Sequence, residues 1–296
     1  MLVSTVIPAY NYGRFVGRAI DSVLTLTHRD IECIVVDDGS TDDTPAVLAR
    51  YGDRIRAIRQ ENRGLSATRN AGIRAARGEA IALLDADDEF KPEKIAKQVA
   101  VLTADASVGV VGCAVELADG DGKHTGDAYF PAPARGPEGL RSIALRQTWV
   151  SGSASGALIR RRVLDQVGLF DETLTAAEDW DMWLRLTAGG HVIVNLPDVL
   201  VRVYRHNTGS FRNAAKMEAN QQKVFEAAVR RWPDQLDETT RRRVRALISA
   251  DAARELALAG DYKGALTHFL RALRVDPFQR KLWYQTARTV GRLVGV

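Results

Sequence analysis

Short apolar runs and amphipathic stretches alternate along the first hundred residues of the chain. The apolar runs predict β-strands, at 3–8, 32–36, 55–59, 80–84 and 108–115. The stretches between them have helical spacing, at 12–26, 43–51, 66–76 and 92–102. This order predicts an α/β fold with a mostly parallel sheet and helices on both faces. Because ligands bind such sheets beyond the carboxyl ends of the strands, the residues after each strand are the first candidates for function.

The remainder of the chain has a less regular pattern. Residues 116–137 are rich in Gly, Asp and Pro, which predicts an irregular excursion or a hairpin. Further helices are predicted at 140–146, 161–167 and 178–189, and further strands at 157–159, 192–196 and 200–204. Beyond residue 213 the pattern is helical, at 216–232, 238–259 and 262–275. Residues 256–277 resemble one tetratricopeptide-type hairpin, and a single unit favours a helical cap over a repeat array.

Composition and charge describe a globular chain with one basic region. The 296 residues are 46% hydrophobic and 26% charged, which excludes a disordered or fibrous protein. The formal charge is +4, but residues 213–296 carry 16 Lys and Arg against 9 Asp and Glu, or +7, which leaves 4 − 7 = −3 for residues 1–212. This basic helical region suits an anionic surface, either a membrane or a polyanion, or is a solvated helix face.

Cysteines and targeting signals indicate the compartment. Cys33 and Cys113 lie in apolar runs without the spacing of a zinc site or a disulfide framework, so we expect reduced core residues. The first residues lack the pattern of a secretory signal, and no run of about 18 apolar residues predicts a membrane span. We therefore expect a cytoplasmic protein, with peripheral contact at the inner face of the plasma membrane left open.

Two acidic clusters follow predicted strands. In the first, Asp37 and Asp38 lead into a Gly-Ser-Thr turn. A carboxylate there can bind a nucleobase or ribose, or it can simply stabilise the turn and cap the next helix. In the second, Asp85, Asp87 and Asp88 follow an apolar run that predicts a buried strand. Carboxylates this close repel each other unless a cation compensates. Oxygen ligands at this spacing favour Mg²⁺ or Mn²⁺, which would also bind substrate phosphates.

Four short motifs over residues 3–92 stand in one order: Pro8-Ala9-Tyr10-Asn11, Asp37-Asp38-Gly39-Ser40-Thr41-Asp42, Gly64-Leu65-Ser66-Ala67-Thr68-Arg69-Asn70 and Leu84-Asp85-Ala86-Asp87-Asp88. Together they resemble glycosyltransferase family 2, whose fold is GT-A. Further matches reach about residue 212: Ser155-Gly156-Ala157, Gly168-Leu169-Phe170-Asp171, Glu178-Asp179-Trp180-Asp181 and Tyr204-Arg205-His206-Asn207. The resemblance implies a nucleotide-sugar-binding half (1–110) and an acceptor-binding and catalytic-base half (111–212). It does not cover the helical pattern that follows, which predicts a C-terminal helical extension (213–296).

The resemblance also implies a role for each matched residue. The nucleotide-sugar site would comprise Pro8, Ala9, Tyr10, Asn11, Asp37, Asp38, Arg69, Asp85 and Asp87. Within it, Asp38 would bind the base, and Asp85 and Asp87 form the DXD signature that holds ribose and metal. The implied cofactor is Mn²⁺ or Mg²⁺, with Asp87, Asp88 and His206 as its ligands.

The catalytic base implied by the family is Asp179, with Glu178 beside it. A carboxylate that takes the proton of an attacking sugar hydroxyl contributes roughly 10²- to 10⁴-fold to rate. One base without a nucleophile partner implies direct displacement with inversion. The processive members' Gln-x-x-Arg-Trp motif is missing after Asp179, which favours transfer of one sugar per encounter. Without the resemblance, Glu178 and Asp179 also fit ordinary acids at a helix N-terminus.

The expected substrates are a nucleotide-sugar donor, UDP-sugar first and dTDP- or GDP-sugar next, and a saccharide or lipid-linked acceptor in surface polysaccharide or glycolipid synthesis. A sugar-phosphate nucleotidyltransferase is the competing enzyme class, although the segment after the first strand is not its basic Gly-rich loop. A non-catalytic binding protein on the same fold is the other alternative. Nucleic acid is not an expected partner, because the predicted site lies in the acidic part of the chain. Anionic lipid suits the basic helices better.

Overall fold

The computed structural model describes residues 1–119, 124–129, 136–146, 154–205 and 214–294. The strands within these ranges are β1 (Val3–Ala9), β2 (Ile31–Asp37), β3 (Arg56–Arg59), β4 (Ala80–Leu83), β5 (Glu89–Phe90), β6 (Val108–Asp119), β7 (His124–Tyr129), β8 (Leu158–Arg160) and β9 (Val192–Arg205). They form one sheet in the order β3-β2-β1-β4-β8-β6-β9-β5, and β7 pairs with β6. A single sheet therefore joins the first and second halves of the chain.

Helices cover both faces of this sheet. In the main domain they are α1 (Val16–Leu24), α2 (Thr44–Ala49), α3 (Leu65–Ala75), α4 (Lys94–Ala104), α5 (Gly136–Ala144), α6 (Arg161–Val167) and α7 (Glu178–Ala188), with a 3-10 turn at Gly52–Arg54. Side chains of α1, α2 and α4 pack in one apolar layer, and those of α3, α5, α6 and α7 in the other. Alternate strand residues point into the two layers, as with Val6 and Ile7.

The first half of the sheet is parallel, as the sequence pattern predicts. β1 lies between β2 and β4 with Val6 opposite Ile34 on one side and Leu83 on the other. Both faces of these strands are covered, which explains why they read as continuous apolar runs.

The second half of the sheet is mixed, so the parallel prediction holds only in part. β8 runs antiparallel to both β4 and β6, whereas β6 and β9 are parallel. β9 is one long strand where two were predicted. Its Pro197 cannot donate to the ladder, and the register shifts there between Cys113 and Ala114 of β6, so the strand continues through an irregularity. The predicted hairpin after residue 116 is confirmed by the β6–β7 pairing.

The three predicted C-terminal helices are confirmed as α8 (Ala214–Arg231), α9 (Glu238–Leu258) and α10 (Tyr262–Val275), and a further helix, α11 (Arg280–Val294), follows them. Phe225 of α8 is buried in the apolar layer that also contains the buried residues of α7, so α8 packs the extension against the main domain. A small separate core joins α9, α10 and α11 through Ala250, Phe269 and Leu282. Asp237 and Asp261 cap α9 and α10 by accepting from backbone N–H groups. Within the described residues, every helix is too short or too polar to cross a membrane.

Candidate active site

The predicted site residues lie beyond the carboxyl ends of β1, β2 and β4. Parallel pairing places Ala9 opposite Asp37, and the N–H of Asp38 donates to the carbonyl oxygen of Ala9 at 2.8 Å. On the other side of β1, the N–H of Leu84 donates to the carbonyl oxygen of Val6 at 3.0 Å. The strand pairing therefore delivers both acidic clusters to one edge of the sheet.

The segment after β1 is built around Asn11. This residue has a left-handed backbone (φ 58°), an uncommon conformation that Asn tolerates better than most residues. Its side-chain oxygen accepts from the N–H of Thr41 at 2.8 Å, and its own N–H donates to Ser40 Oγ at 2.9 Å. Helix α1 consequently starts at Val16, later than the predicted residue 12. Tyr10 remains 44% exposed, whereas Pro8 and Ala9 are buried in the strand.

Asp37 and Asp38 are buried, and each accepts hydrogen bonds from neighbouring groups. Asp37 Oδ1 accepts from the N–H of Ser40 at 2.9 Å, and its other oxygen lies 3.3 Å from Arg59. Asp38 accepts from Gln60 Nε2 at 2.6 Å and from the backbone N–H groups of Arg63 and Gly64 at 2.9 and 2.8 Å. Asp38 thus shapes the loop that leads into α3.

Arg69 connects the two halves of the candidate site. Its guanidinium is fully buried and donates to Asp85 Oδ1 and to Glu178 Oε1, both at 2.7 Å. Burial alone would lower the pKa of Arg69, but the charges of Asp85 and Glu178 outweigh it and raise this pKa. One cation therefore holds a carboxylate of the DXD segment and the residue beside the predicted base in a fixed relation.

The second acidic cluster carries more negative charge than its protein partners neutralise. Asp88 is 3% exposed and accepts from Ser155 Oγ at 2.6 Å and from the N–H of Tyr204 at 3.3 Å. Burial, followed by the charges of Asp85 and Asp87, raises the pKa of Asp88 well above its usual value, although both hydrogen bonds oppose the shift. The same surroundings raise the pKa of Tyr12, through burial first and then the charges of Asp87 and Asp85.

Ser155 is a buried support of this cluster. Besides donating to Asp88, its hydroxyl accepts from the N–H of Asp85 at 3.1 Å, so one side chain fixes both ends of the acidic segment. Beneath it, Gln98 donates to the carbonyl oxygens of Gly156 and Val111, each at 2.8 Å, and accepts from Lys94 Nζ at 2.9 Å. Burial lowers the pKa of Lys94 to about 8.

The predicted base stands at the start of α7. Ala177 before it has a left-handed backbone (φ 60°), which is unusual for a residue with a side chain and marks local strain. Asp179 is half-buried and accepts from the N–H of Trp180 at 2.7 Å. Burial and the charge of Glu178 raise the pKa of Asp179 to about 6, against the opposing charge of Arg69. A carboxyl group with this pKa is mostly ionised at neutral pH and can accept a proton.

Two polar residues fix α7: Asn70 of α3 holds the loop before α7, and Arg185 holds α7 against that loop. Asn70 exchanges hydrogen bonds with both backbone groups of Phe170, each at 2.9 Å. Arg185 donates to the carbonyl oxygens of Val167, Gly168 and Leu169, and it pairs with Asp181 at 2.8 Å. These contacts explain how a residue far along the chain keeps a fixed position relative to the strand ends.

The acidic cluster provides suitable donors for a divalent cation. Among the described residues, no three His, Cys, Asp or Glu side chains form a ready-made metal cluster, and His206 lies outside these residues. Asp85, Asp87 and Asp88 are nevertheless hard oxygen donors whose mutual repulsion a cation would relieve. Mg²⁺ typically takes one or two carboxylates and completes its shell with waters and substrate phosphates, so the residues present fit such an ion.

Sequence reasoning gave no role to Ser155, Gln98 or Arg18. Arg18 donates to the carbonyl oxygen of Asp87 at 3.0 Å and stacks 3.4 Å from the ring centroid of Tyr204. Ser155 belongs to the motif Ser155-Gly156-Ala157. Its position beside the DXD segment depends on the antiparallel pairing of β4 with β8, which the sequence does not show. Gln98 and Arg18 sit on ordinary amphipathic helices, so their sequence context carries no signal of a supporting role.

Comparison with known proteins agrees with this architecture. The profile of glycosyl transferase family 2 matches residues 4–168. An uncharacterized glycosyltransferase of Nostoc sp. is 35% identical over 240 residues, which cover 77% of this chain and 72% of the relative.

Solved structures show the same fold. S. aureus TarS 1-349 in complex with UDP-GlcNAc has a TM-score of 0.68 at 18% identity, over 93% of this chain and 81% of that one. The mannosyltransferase PcManGT from Pyrobaculum calidifontis, in complex with GDP-Man and Mn²⁺, has a TM-score of 0.61 at 21% identity, over 97% and 84% of the two chains. The chain therefore belongs to glycosyltransferase family 2 and has the GT-A fold.

Proposed function

We propose that this enzyme transfers one sugar, with inversion, from a nucleotide-diphospho-sugar to a hydroxyl of a saccharide or lipid-linked acceptor. The observation that carries the proposal is the buried Arg69, which contacts both Asp85 of the donor edge and Glu178 beside the base. This bridge holds a donor-binding carboxylate and a proton acceptor in one rigid unit. In this account residues 1–110 bind the donor, residues 111–212 supply the acceptor site and base, and residues 213–296 form the extension.

The donor occupies the edge formed by the ends of β1, β2 and β4. Tyr10 offers an exposed ring that can contact a base, while Asn11, Asp37 and Asp38 shape the pocket wall through the hydrogen bonds described above. A UDP-sugar is the expected donor. The complexes of two structural neighbours with UDP-GlcNAc and with GDP-Man support donors of this class.

A divalent cation, Mn²⁺ or Mg²⁺, is proposed to bind Asp87 with Asp85 or Asp88, and His206 is a further candidate ligand. The cation would neutralise the charge of the diphosphate leaving group. Arg18 and Ser155 hold the backbone and side chains of this segment in place. One structural neighbour contains Mn²⁺ together with its sugar nucleotide, which supports the assignment.

Asp179 is proposed as the general base. It takes the proton from the acceptor hydroxyl as that oxygen forms a bond to the anomeric carbon of the donor. The bond from the same carbon to the phosphate oxygen breaks, and its electron pair leaves with the nucleoside diphosphate. Attack opposite the leaving group inverts the anomeric configuration. Burial and the charge of Glu178 outweigh the opposing charge of Arg69, so Asp179 keeps a raised pKa and remains basic enough to receive the proton.

The reaction is assigned to surface polysaccharide or glycolipid synthesis on the cytoplasmic side of the membrane, where nucleotide sugars are made. A panel of UDP-, dTDP- and GDP-sugars tests the activity. The expected result is release of one nucleoside diphosphate in the presence of Mn²⁺, first by slow hydrolysis and faster with an acceptor saccharide. The anomeric configuration of the product is read by NMR. Tight binding of a sugar nucleotide without turnover by any acceptor would instead favour a non-catalytic protein, and a retained configuration would contradict direct displacement.

A further inference from the structure

Large apolar side chains are exposed on one side of α11 and in the turn before it. Phe278 in the turn is 81% exposed, and Trp283 on the helix is 56% exposed. Val290 and Val294 follow Trp283 on the same side at helical spacing and are also exposed. The other side of the helix is already packed, through the buried residues Leu282, Thr286 and Thr289. The fold therefore covers one face of the helix and leaves the apolar side with Trp283 uncovered.

The exposed aromatic residues are held in place. The indole N–H of Trp283 donates to the carbonyl oxygen of Pro277 at 2.8 Å, so the ring has its polar group satisfied within the protein. Arg288 stacks 5.8 Å from the ring centroid of Tyr284, which is itself 64% exposed. A preformed apolar face costs less entropy on binding than one that must be ordered first.

Positive charge lies on the exposed flank of α11 next to this face, opposite the flank that is packed against the protein. Residues 262–294 contain seven basic residues and a single acid, a net charge of 7 − 1 = +6. The acid, Asp276, is 1% exposed and pairs with Arg242, so it does not offset the surface charge. Within the described part of the chain, the four cations of α11 lie near no carboxylate: Arg280, Lys281, Arg288 and Arg292. In contrast, Arg241 and Arg245 of α9 are paired with Glu238 and Glu226.

The combination of apolar and basic groups distinguishes between partners. Amphipathic helices with aromatic and aliphatic residues on one side and cations beside them lie in the headgroup region of anionic membranes. A second copy of this chain would bring like charges together across a twofold interface, which disfavours self-association through the same face.

We infer that the exposed side of α11, with Phe278, is a membrane-binding surface for anionic phospholipids. The apolar side chains insert at the boundary between headgroups and acyl chains, and the flanking cations contact the phosphates. Such attachment would bring the enzyme to a lipid-linked acceptor, and only this last step rests on the proposed function.

Vesicle co-sedimentation of the full-length protein tests the surface directly. We expect binding to vesicles of phosphatidylglycerol and phosphatidylcholine, and little binding to phosphatidylcholine alone. Each basic residue near an anionic surface accounts for about a fivefold change in partitioning, so Lys281→Gln with Arg288→Gln should lower the partition coefficient roughly 25-fold. The matched control is Arg29→Gln with Arg50→Gln, which removes the same charge from exposed positions of the main domain and should leave binding unchanged.

Fluorescence provides a second readout that does not depend on charge. Insertion should shift tryptophan emission to the blue, and Trp283→Phe should abolish the shift. Of the other tryptophans in the described residues, Trp180 and Trp183 are buried and Trp232 packs against the main core. Equal binding to both vesicle types, equal losses in the two double variants, or a dimer in light scattering that Trp283→Ser dissociates would overturn the inference. Nucleotide binding by the same variants separates the two proposals, since the surface lies outside the donor site and the variants should bind UDP normally.

Discussion

Buried carboxylates follow both β2 and β4, and the two loops stabilise them in different ways. After β2, Asp38 receives three hydrogen bonds, and Asp42 receives further bonds from Gly13 and Thr44. After β4, Asp88 receives two hydrogen bonds but also faces Asp85 and Asp87. Both loops therefore contain clustered acids, and the difference is the like charge around Asp88. Each oxygen of Asp88 has a hydrogen-bond donor, whereas Asp37 Oδ2 in the first loop has no hydrogen bond and lies next to Arg59.

The pKa directions express the difference. Burial would raise the pKa of Asp42, yet the hydrogen bonds from Thr44 and Gly13 outweigh it and lower this pKa. At Asp88, burial and like charges prevail, and the pKa is raised. We therefore expect a cation to bind the second loop, where like charges surround a buried carboxyl group, and not the first. Clustered acids predict a metal site where like charges, rather than hydrogen bonds, dominate around them.

The largest expected effect concerns the proposed base, Asp179, whose neighbour Glu178 is linked by Arg69 to the second loop. Asp179→Asn should lower kcat roughly 10²- to 10⁴-fold and leave the affinity for the donor nucleotide almost unchanged. In the parent enzyme, kcat/KM should fall as pH drops below about 6, because the base must be ionised and its pKa is raised to about 6. Steady-state kinetics across pH and calorimetry with UDP check both points. An unchanged pH profile in Asp179→Asn would assign the proton transfer elsewhere.

A smaller effect is expected from the support beneath the second loop. Ser155→Ala removes the donor to Asp88 and the acceptor for the N–H of Asp85. Groups that orient metal ligands typically contribute 10- to 100-fold, so the Mn²⁺ concentration for half-maximal activity should rise about tenfold or more. Ser22→Ala is the matched control, since Ser22 is a buried serine that accepts from the N–H of Phe90 and contacts no acid of the cluster. Equal responses of the two variants would mean a general packing effect.

The smallest effect concerns stability and compares the two loops directly. Asp38→Asn leaves a single acceptor oxygen for three donors and should destabilise the fold by about 1–3 kcal/mol. Asp88→Asn relieves repulsion while it loses charge-assisted bonds, so without metal its cost should stay below about 1 kcal/mol. Urea unfolding in chelator measures both variants. The opposite order would break the distinction between a loop dominated by hydrogen bonds and one dominated by like charges.

Much of the fold was predictable because strand and helix periodicity in the first half is strong. Apolar runs such as residues 80–84 sit between covered faces, and the helix at 262–275 has the predicted bounds. The antiparallel strand β8 and the continuation of β9 through Pro197 were not predictable, since both depend on pairing between distant segments.

The same limit applies to the site. Acidic residues that directly follow predicted strands can be recognised from the sequence alone. The structure brings five of them to one edge of the sheet, as expected: Asp37, Asp38, Asp85, Asp87 and Asp88. Their functional roles stay predictions. The buried Arg69 bridge and the two bonds of Ser155 could not be foreseen, because spatial proximity between residues about seventy and a hundred positions apart leaves no local pattern.

If the second loop, and not the first, requires a cation to bind the donor, nucleotide binding must depend on Mn²⁺ and on the carboxylates of that loop. Titration calorimetry of UDP into the protein, with Mn²⁺ and with chelator, should be carried out on the parent enzyme, Asp87→Asn and Asp42→Asn. We predict Mn²⁺-dependent binding that is lost in Asp87→Asn and kept in Asp42→Asn, whose carboxylate is satisfied within its own loop. Mn²⁺-independent binding, or equal loss in both variants, would contradict the account.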